Sequence, residues 1–492
     1  MKDLLNYFKS MQFSFEWGER ASLWLNDFSS YPFTQETDLP WIQTKNSIQF
    51  VINPDTSGSY SEKAEFEERG KKHAAYFMNK DNIRMLWKKY QDILTQLQQY
   101  LTLIEKTDFS NFSKEQLLPY FKEFVRVSTE TTIWYRATNQ GAEYYVSKKI
   151  KEILAKYFEK NKIDEVFHTL SLSSYSNPIK EEKEDWIILL KKEKPVDDDF
   201  YAHIKKYSMF YTNIYTHVDL MKTIKSQYHL DKPKIKQLEK EQVLSQKNLD
   251  EIKGKKKALL EKITNDDLSD YLMVFQRFGE YRFRLKPGYA GIEVLSLLML
   301  SRIGELAGMS VHDLHELLTI QDLFHFLETG KLPTQEILEQ RKKCRVIAVH
   351  NKKMHILQGE EGIDFINKTI FKKERNLQTT GILQGMIACQ GLVRGKVRVI
   401  LSTKLDEIHE IEKTFQQGDI LVTHNTQPNM VPLMKKAGAI VTAQGGIISH
   451  SAIVSREFNI PCIVGIDSVT LYLKDGDYIE VDATKGIVRK LG

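Results

Sequence analysis

Cysteine is scarce: Cys344, Cys389 and Cys462 are spread along 492 residues with no CxxC pair among them. That spacing excludes a thiolate zinc site and a disulfide framework, and it fits a reducing compartment. Long apolar runs are scarce too. The longest, IEVLSLLMLSRIGELAG, is interrupted by Glu293, Arg302 and Glu305. It falls short of the roughly 20 apolar residues that a membrane span needs and reads as a buried helix. The N-terminal MKDLLNYFKSMQFSFEWGER has neither an uninterrupted apolar core nor a small-residue cleavage site, so no signal peptide is expected and a cytoplasmic location follows. Excess charge of one sign is also missing, because 70 basic residues against 65 acidic ones leave only +5. The lysine-rich stretches KPKIKQLEKEQ and IKGKKKALLEK interleave acids and aliphatics at helical spacing, the pattern of a solvated helix face and not of a nucleic-acid surface.

What is present is material for several cores: 41% hydrophobic residues beside 27% charged ones, in a chain long enough for about two to four domains. From Asp81 to Leu327 the segments IRMLWKKYQDILTQLQQYLTLIEK, KEQLLPYFKEFVRVSTETTIWYR and DDLSDYLMVFQRFGEYRFRL repeat apolar residues at i, i+3, i+4 and i+7, so a large helical domain is expected. Two small β elements flank it. SIQFVINPDTSGSY reads as a strand pair around a turn, and CRVIAVHNKKMHILQG as a hairpin turning at Asn351 and Lys352. FKKERNLQTTGILQG then loses its periodicity and reads as a connector. Beyond it GKVRVIL, GDILVTH, AGAIVTA, PCIVGI, YIEVDA and GIVRKL are short β-rich runs separated by turns and two helical segments. The expected architecture is multidomain α+β. A mainly helical part with small β elements occupies residues 1–375, a linker 376–384, and an α/β domain 385–492.

The segment richest in chemistry is AIVTAQGGIISHSAIVSREFNIPCIVG. A buried strand, Ala439 to Thr442, runs into Gly445 and Gly446, whose missing Cβ atoms permit close approach of a phosphate-bearing partner. A helix opens at Ser449, places His450 in its first turn, and ends at Asn459 and Pro461. Free N–H groups and the positive end of the helix dipole stabilise an anion there. An imidazole, with an ordinary pKa of about 6.5, is a competent nucleophile at neutral pH. His450 is therefore the candidate phosphate carrier. Ser449 either caps the helix alone or also holds a phosphate oxygen, and Arg456 lies too far along for a sure phosphate contact.

This segment resembles the phosphohistidine signature of the mobile domain in phosphoenolpyruvate-utilising enzymes. Its matching positions are Thr442, Gly445, Gly446, Ser449, His450, Ala452, Ile453, Val454, Arg456, Glu457, Ile460, Pro461 and Gly465. Upstream, GDILVTHNTQPNMVPLMKKAGAIV and GLVRGKVRVI are similar to the family's preceding blocks, so the resemblance covers Leu383 to Gly492. It implies a β/β/α-type swivelling domain in which His450 is phosphorylated at a nucleotide site and carried to a second site, with a hinge near Thr379 and Thr380. Family members regulated on a threonine two residues before the histidine differ here, because Ile448 stands in that place. Pyruvate phosphate dikinases and phosphoenolpyruvate synthases carry a further barrel after the mobile domain, and no such barrel follows in this sequence. Nor is an ATP-grasp pattern or a G-x-x-x-x-G-K-[ST] loop found in the first 375 or so residues. The resemblance therefore implies ATP and Mg²⁺ bound by a separate ATP-grasp protein, an arrangement with a precedent in phenylphosphate synthase.

The helical part resembles the acceptor-binding region of rifampicin phosphotransferases through YRFRLKPGYAGIEVLSLLMLSRIGELAGMSVHDLHELLTIQDLFHFL. Arg282 and Lys286 reproduce an R-x-x-x-K spacing of that family, although Phe283 replaces its acidic residue. Two cations at i and i+4 can clamp a phosphoryl group; an exposed basic turn is the plainer reading. Trp134, Tyr135, Arg136, Tyr144 and Tyr145 either line an aromatic acceptor pocket or belong to the core. His312, His315 and Glu316 do not follow a zinc-protease order, and His350 and His355 read as surface residues beside the hairpin. Two functions compete. One is a split phosphotransferase component that carries phosphate on His450 to a small molecule. The other is a non-catalytic regulatory or docking partner of a phosphoenolpyruvate synthase-like enzyme, against which the intact histidine motif argues.

Overall fold

The computed structural model describes residues 2–17, 23, 27, 30–35, 39–42, 44–52, 56–138, 140–172, 178–211, 216–371, 382–401, 405–426, 430–446, 449–466 and 469–491. The chain divides into two compact units, Lys71–Leu332 and Met1–Gly70 together with Pro333–Gly492. No described helix is long and apolar enough to cross a membrane.

The first unit is helical, for reasons visible in its sequence. In Lys80–Glu105 the buried residues Ile83, Leu86, Tyr90, Ile93, Leu97, Tyr100, Leu101 and Ile104 form one stripe, and the Asn79 side chain accepts from the Asp81 N–H at the start. Lys114–Arg136 begins with a capping box between Ser113 and Gln116. Asp266–Tyr289 packs against both, and Tyr281 stacks on Trp87 and on Tyr90 with ring centroids 5.5 and 4.3 Å away. The apolar run foreseen as one buried helix is two, Ile292–Leu295 and Leu297–Ala307. The break falls at Ser296, whose hydroxyl lies 2.8 Å from that of Tyr100. The lysine-rich helix Ile235–Leu260 is largely solvated, with one exception. Lys256 is buried, donates to the Leu172 carbonyl, and is pushed down to about 8 by loss of water.

Within the second unit, five strands form an antiparallel sheet: β1 (Phe13–Trp17), β2 (Asn46–Ile52), β3 (Thr56–Glu62), β4 (Cys344–His350) and β5 (Lys353–Gln358), in the order β1-β3-β2-β4-β5. The expected strand pair and hairpin are thus one sheet, joined where Asn46 pairs with His350 and Ile52 with Cys344. Residues 1–375 consequently hold a five-stranded sheet in addition to the helical unit. The β4–β5 turn uses Asn351 and Lys352 at φ 47° and 64°. Phe8, Ile48, Phe50, Tyr60, Val346, Ala348, Leu357 and Phe365 pack as a core on one face. His350 is not the surface residue expected. Its Nδ1 lies 2.9 Å from Asn46 Oδ1, its ring 4.1 Å from that of Tyr7, and partial burial lowers its pKa.

The C-terminal strands are β6 (Ile382–Gln384), β7 (Met386–Cys389), β8 (Leu392–Val399), β9 (Ile420–Thr423), β10 (Ala439–Thr442), β11 (Cys462–Val464), β12 (Tyr478–Asp482) and β13 (Ile487–Lys490). They form one sheet in the order β6-β13-β12-β8-β9-β10-β11-β7. Strands β8 to β11 run parallel, and β9, β10 and β11 are wholly buried, as a sheet covered on both faces requires. On one face Leu421, Ile440, Cys462 and Val464 meet helix residues such as Leu433, Met434, Ala452 and Val454. On the other, Val422, Val441 and Ile463 meet strand residues Ile479, Val481 and Val488. Among the described residues four helices, not two, lie between these strands: Leu405–Thr414, Val431–Lys436, His450–Glu457 and Val469–Tyr472. Of the linker 376–384, the last three residues are β6, paired with β13, while Thr379 and Thr380 lie outside the described residues.

Candidate active site

The parallel strands β9, β10 and β11 end at the same edge of the sheet, where ligands of α/β folds are commonly held. After β10 the backbone must turn sharply to start a helix at this edge. Gly445 makes the turn at φ 120°, and a Cβ there would lie 2.7 Å from Ser449 Oγ and 3.1 Å from Ser449 Cβ. The Gly446 carbonyl accepts from the Ser449 N–H at 3.0 Å. Ser449 is the N-cap of His450–Glu457, its hydroxyl accepting from the Ala452 N–H at 3.3 Å and lying 3.0 Å from Ser451 Oγ. His450 is therefore the first residue of the helix, half-buried at the sheet edge. Asn459, at φ 53°, takes the chain out of the helix.

One residue that motif reading did not single out completes the geometry. Thr426, buried in the loop after β9, places its hydroxyl 2.6 Å from His450 Nδ1. Further hydrogen bonds fix this loop. Thr423 Oγ1 donates to the Asn425 carbonyl at 2.9 Å, Asn425 Nδ2 to Gln444 Oε1 at 3.3 Å, and the Gln444 N–H to the His424 carbonyl at 2.7 Å. His424 Nδ1 lies 3.3 Å from Thr470 Oγ1, and burial pushes its pKa down to about 4, so the ring is neutral at cell pH. The signal for these residues was the HNTQ stretch, whose likeness to the family's upstream block gave no role to any one side chain.

The remaining candidates are distributed elsewhere. Arg456 Nε donates to the Ala388 carbonyl at 2.9 Å and ties its helix to β7. Arg282 and Lys286 belong to the helical unit, half-buried on Asp266–Tyr289 and not on an exposed turn. Arg282 Nη2 donates to the Thr138 carbonyl and its Nε to Thr138 Oγ1 at 3.4 Å. Tyr135 stacks on Tyr289 with centroids 4.8 Å apart. The Tyr144 side chain and Ile448 lie outside the described residues. His315 is buried and pushed down to about 3. Among the described residues no group of three or more His, Cys, Asp or Glu side chains could hold a metal ion.

Residues 415–486 match the family "PEP-utilising enzyme, mobile domain", and Thr426, Gly445, Gly446, Ser449 and His450 all fall within that match. The chain is similar to the probable phosphoenolpyruvate synthase of Pyrococcus abyssi, 43% identical over 179 residues that make up 34% of this chain and 21% of that protein. It is 51% identical to the phosphoenolpyruvate synthase of Pyrococcus furiosus over 109 residues, 22% of this chain and 13% of that protein. Against the rifampicin phosphotransferase of Bacillus cereus it is 31% identical over 174 residues, 35% of this chain and 18% of that protein. In each case the match spans about a fifth of the relative's length or less.

Proposed function

We propose that this chain, whose residues 415–486 match the mobile domain of phosphoenolpyruvate-utilising enzymes, is the carrier component of a split phosphotransferase. The observation that carries the reading is the 2.6 Å contact between Thr426 Oγ1 and His450 Nδ1 at the first residue of a helix. With the threonine oxygen accepting from Nδ1–H, the imidazole is held as the tautomer whose Nε2 carries the lone pair. Nε2 is then the nucleophile. The opening N–H groups of His450–Glu457 and their dipole favour the anion that forms.

ATP and Mg²⁺ are assigned to a separate ATP-grasp partner. Nε2 takes the β-phosphoryl group as the phosphoanhydride to AMP breaks, and the γ-group leaves as inorganic phosphate with one water consumed. Rotation of the α/β domain carries the phosphohistidine to a small-molecule acceptor at the helical domain. There an acceptor oxygen attacks phosphorus, the N–P electron pair returns to Nε2, and Arg282 with Lys286 offsets the charge on the transferring group. Gly445 and Gly446 form the loop that admits the phosphate, and Ser449 keeps the helix start in place.

The test is incubation with ATP labelled in the β-phosphate, Mg²⁺ and an ATP-grasp protein encoded beside this chain. Acid-labile label on the chain, absent from His450→Ala, is the expected result. A stable complex that never carries label would favour the docking reading instead.

A further inference from the structure

The three cysteines are scattered in sequence, but the fold brings two of them together. Cys389 ends β7 and Cys462 begins β11, and the antiparallel register of these strands sets the two directly opposite each other. Both side chains belong to the core shared with Ala452, Val454 and Ile460, so they lie on the same face of the sheet. Opposed residues of antiparallel strands have Cα atoms about 4.5–5.5 Å apart, within the roughly 4.4–6.8 Å that a disulfide spans. Both are free thiols. Cys344 stands apart on β4, in the other sheet.

We infer that Cys389 and Cys462 form a reversible oxidation site that a peroxide closes to a disulfide, tying β7 to β11. The two thiols are not equivalent. Cys462 is fully buried on a strand with a neighbour on each side, and loss of water pushes it up to about 12. Cys389 keeps 6% exposure on β7, the last strand of its sheet, which is four residues long and is interrupted by an irregularity beside this pair. A short edge strand of this kind opens locally at low cost. Arg456, whose Nε donates to the neighbouring Ala388 carbonyl, draws both thiols towards the reactive thiolate. Cys389 therefore reacts first. Its sulfur attacks a peroxide oxygen, the O–O bond breaks, and the thiol proton leaves with the departing oxygen as water. The Cys462 sulfur then attacks the resulting sulfenic sulfur, the S–S bond forms, and the S–O bond breaks to release a second water that carries the Cys462 proton. The thiols lose two electrons and the peroxide gains them. Both joined strands pack against the His450–Glu457 helix. In reducing surroundings such a bond is transient, which makes the pair a sensor and not part of a disulfide framework.

The test treats the folded, reduced full-length chain with millimolar hydrogen peroxide, alkylates it, and digests it without reductant for mass spectrometry. The expected product is a peptide pair joining Cys389 to Cys462, lighter by two hydrogens, with Cys344 alkylated. Dithiothreitol should restore both thiols, and the oxidised chain should melt at least about 5 °C above the reduced one. Cys462→Ala, a mild change of volume, should stop at a Cys389 sulfenic acid that dimedone traps, and should lose the thermal shift. The proposal is overturned if both thiols stay alkylatable while Cys344 is oxidised, or if the cross-link forms only in guanidinium. Dimedone adducts at Cys389 of the unsubstituted chain without any cross-link would overturn it equally.

Discussion

A single methyl group at Gly445 should loosen the start of the His450 helix while leaving the rest of the domain folded. In Gly445→Ala the new Cβ would lie 2.7 Å from Ser449 Oγ and 3.4 Å from Val464 Cβ, on a backbone at φ 120°. Holding an L-residue in such a conformation costs on the order of 1–3 kcal/mol. Displacing the Ser449 hydroxyl from the Ala452 N–H removes a cap worth about 1 kcal/mol more. The sum, about 2–4 kcal/mol, is less than the roughly 5–15 kcal/mol that holds a domain together, so local opening is expected and not collapse. Hydrogen–deuterium exchange read on peptides covering 439–464 measures this. Amides of His450–Glu457 should exchange roughly thirty- to several-hundred-fold faster, and label uptake at His450 should fall with them. The control is Gly254→Ala, where nothing lies within 4 Å of the new methyl group and the Ile235–Leu260 helix should gain about 0.5–1 kcal/mol. Unchanged exchange at 450–457 in Gly445→Ala would refute the steric account of the loop.

Two further outcomes follow from the same site. Thr426→Val preserves shape but removes the oxygen at Nδ1, so label uptake on His450 should drop about 10²-fold, on the scale of a lost positioning hydrogen bond; Thr426→Ser should restore most of it, and equal loss in both would point to packing. Acid should destabilise the domain through His424, whose folded pKa of about 4 lies below the ordinary 6.5. Above pH 6.5 both states hold the ring neutral; as pH falls from 6.5 towards 4 only the unfolded state takes the proton, so stability declines by up to about 3 kcal/mol and levels off below. Melting temperatures from pH 7.5 to 4.5 should show this slope, and His424→Asn should flatten it.

The C-terminal α/β domain was legible because its information is local. The strand Ala439–Thr442, the turn at Gly445, the cap at Ser449 and the exit at Asn459 are each set by neighbours within a few residues. Two other features are set by residues far apart in sequence and could not be read. Asn46 pairs with His350 across some 300 residues, which turns two apparent hairpins into one sheet and half-buries a histidine that local composition makes a surface residue. Thr426 meets His450 only because β9 and β10 lie side by side in parallel and end together. Register fixes such contacts, and periodicity along one strand is silent about register with the next.

On the proposed two-step transfer, charging of His450 and its discharge draw on different residues, and Lys286 is the one on which to separate them. Arg282 already donates to the Thr138 carbonyl, so its removal would disturb the helical unit as well as any phosphate contact. Lys286 lies one turn further along Asp266–Tyr289, in a different compact unit from His450. If the pair steadies the phosphoryl group only during the second transfer, Lys286→Gln should take up label from ATP at the normal rate. It should then pass that label about 10²-fold more slowly to whichever of phenol, glycerol, acetate or rifampicin accepts it, the scale for one lost charge-stabilising donor. Rapid-quench measurement of the two half-reactions distinguishes the cases. Equal slowing of both would mean that Lys286 supports the fold or the nucleotide partner, and the acceptor role of this helix would have to be abandoned.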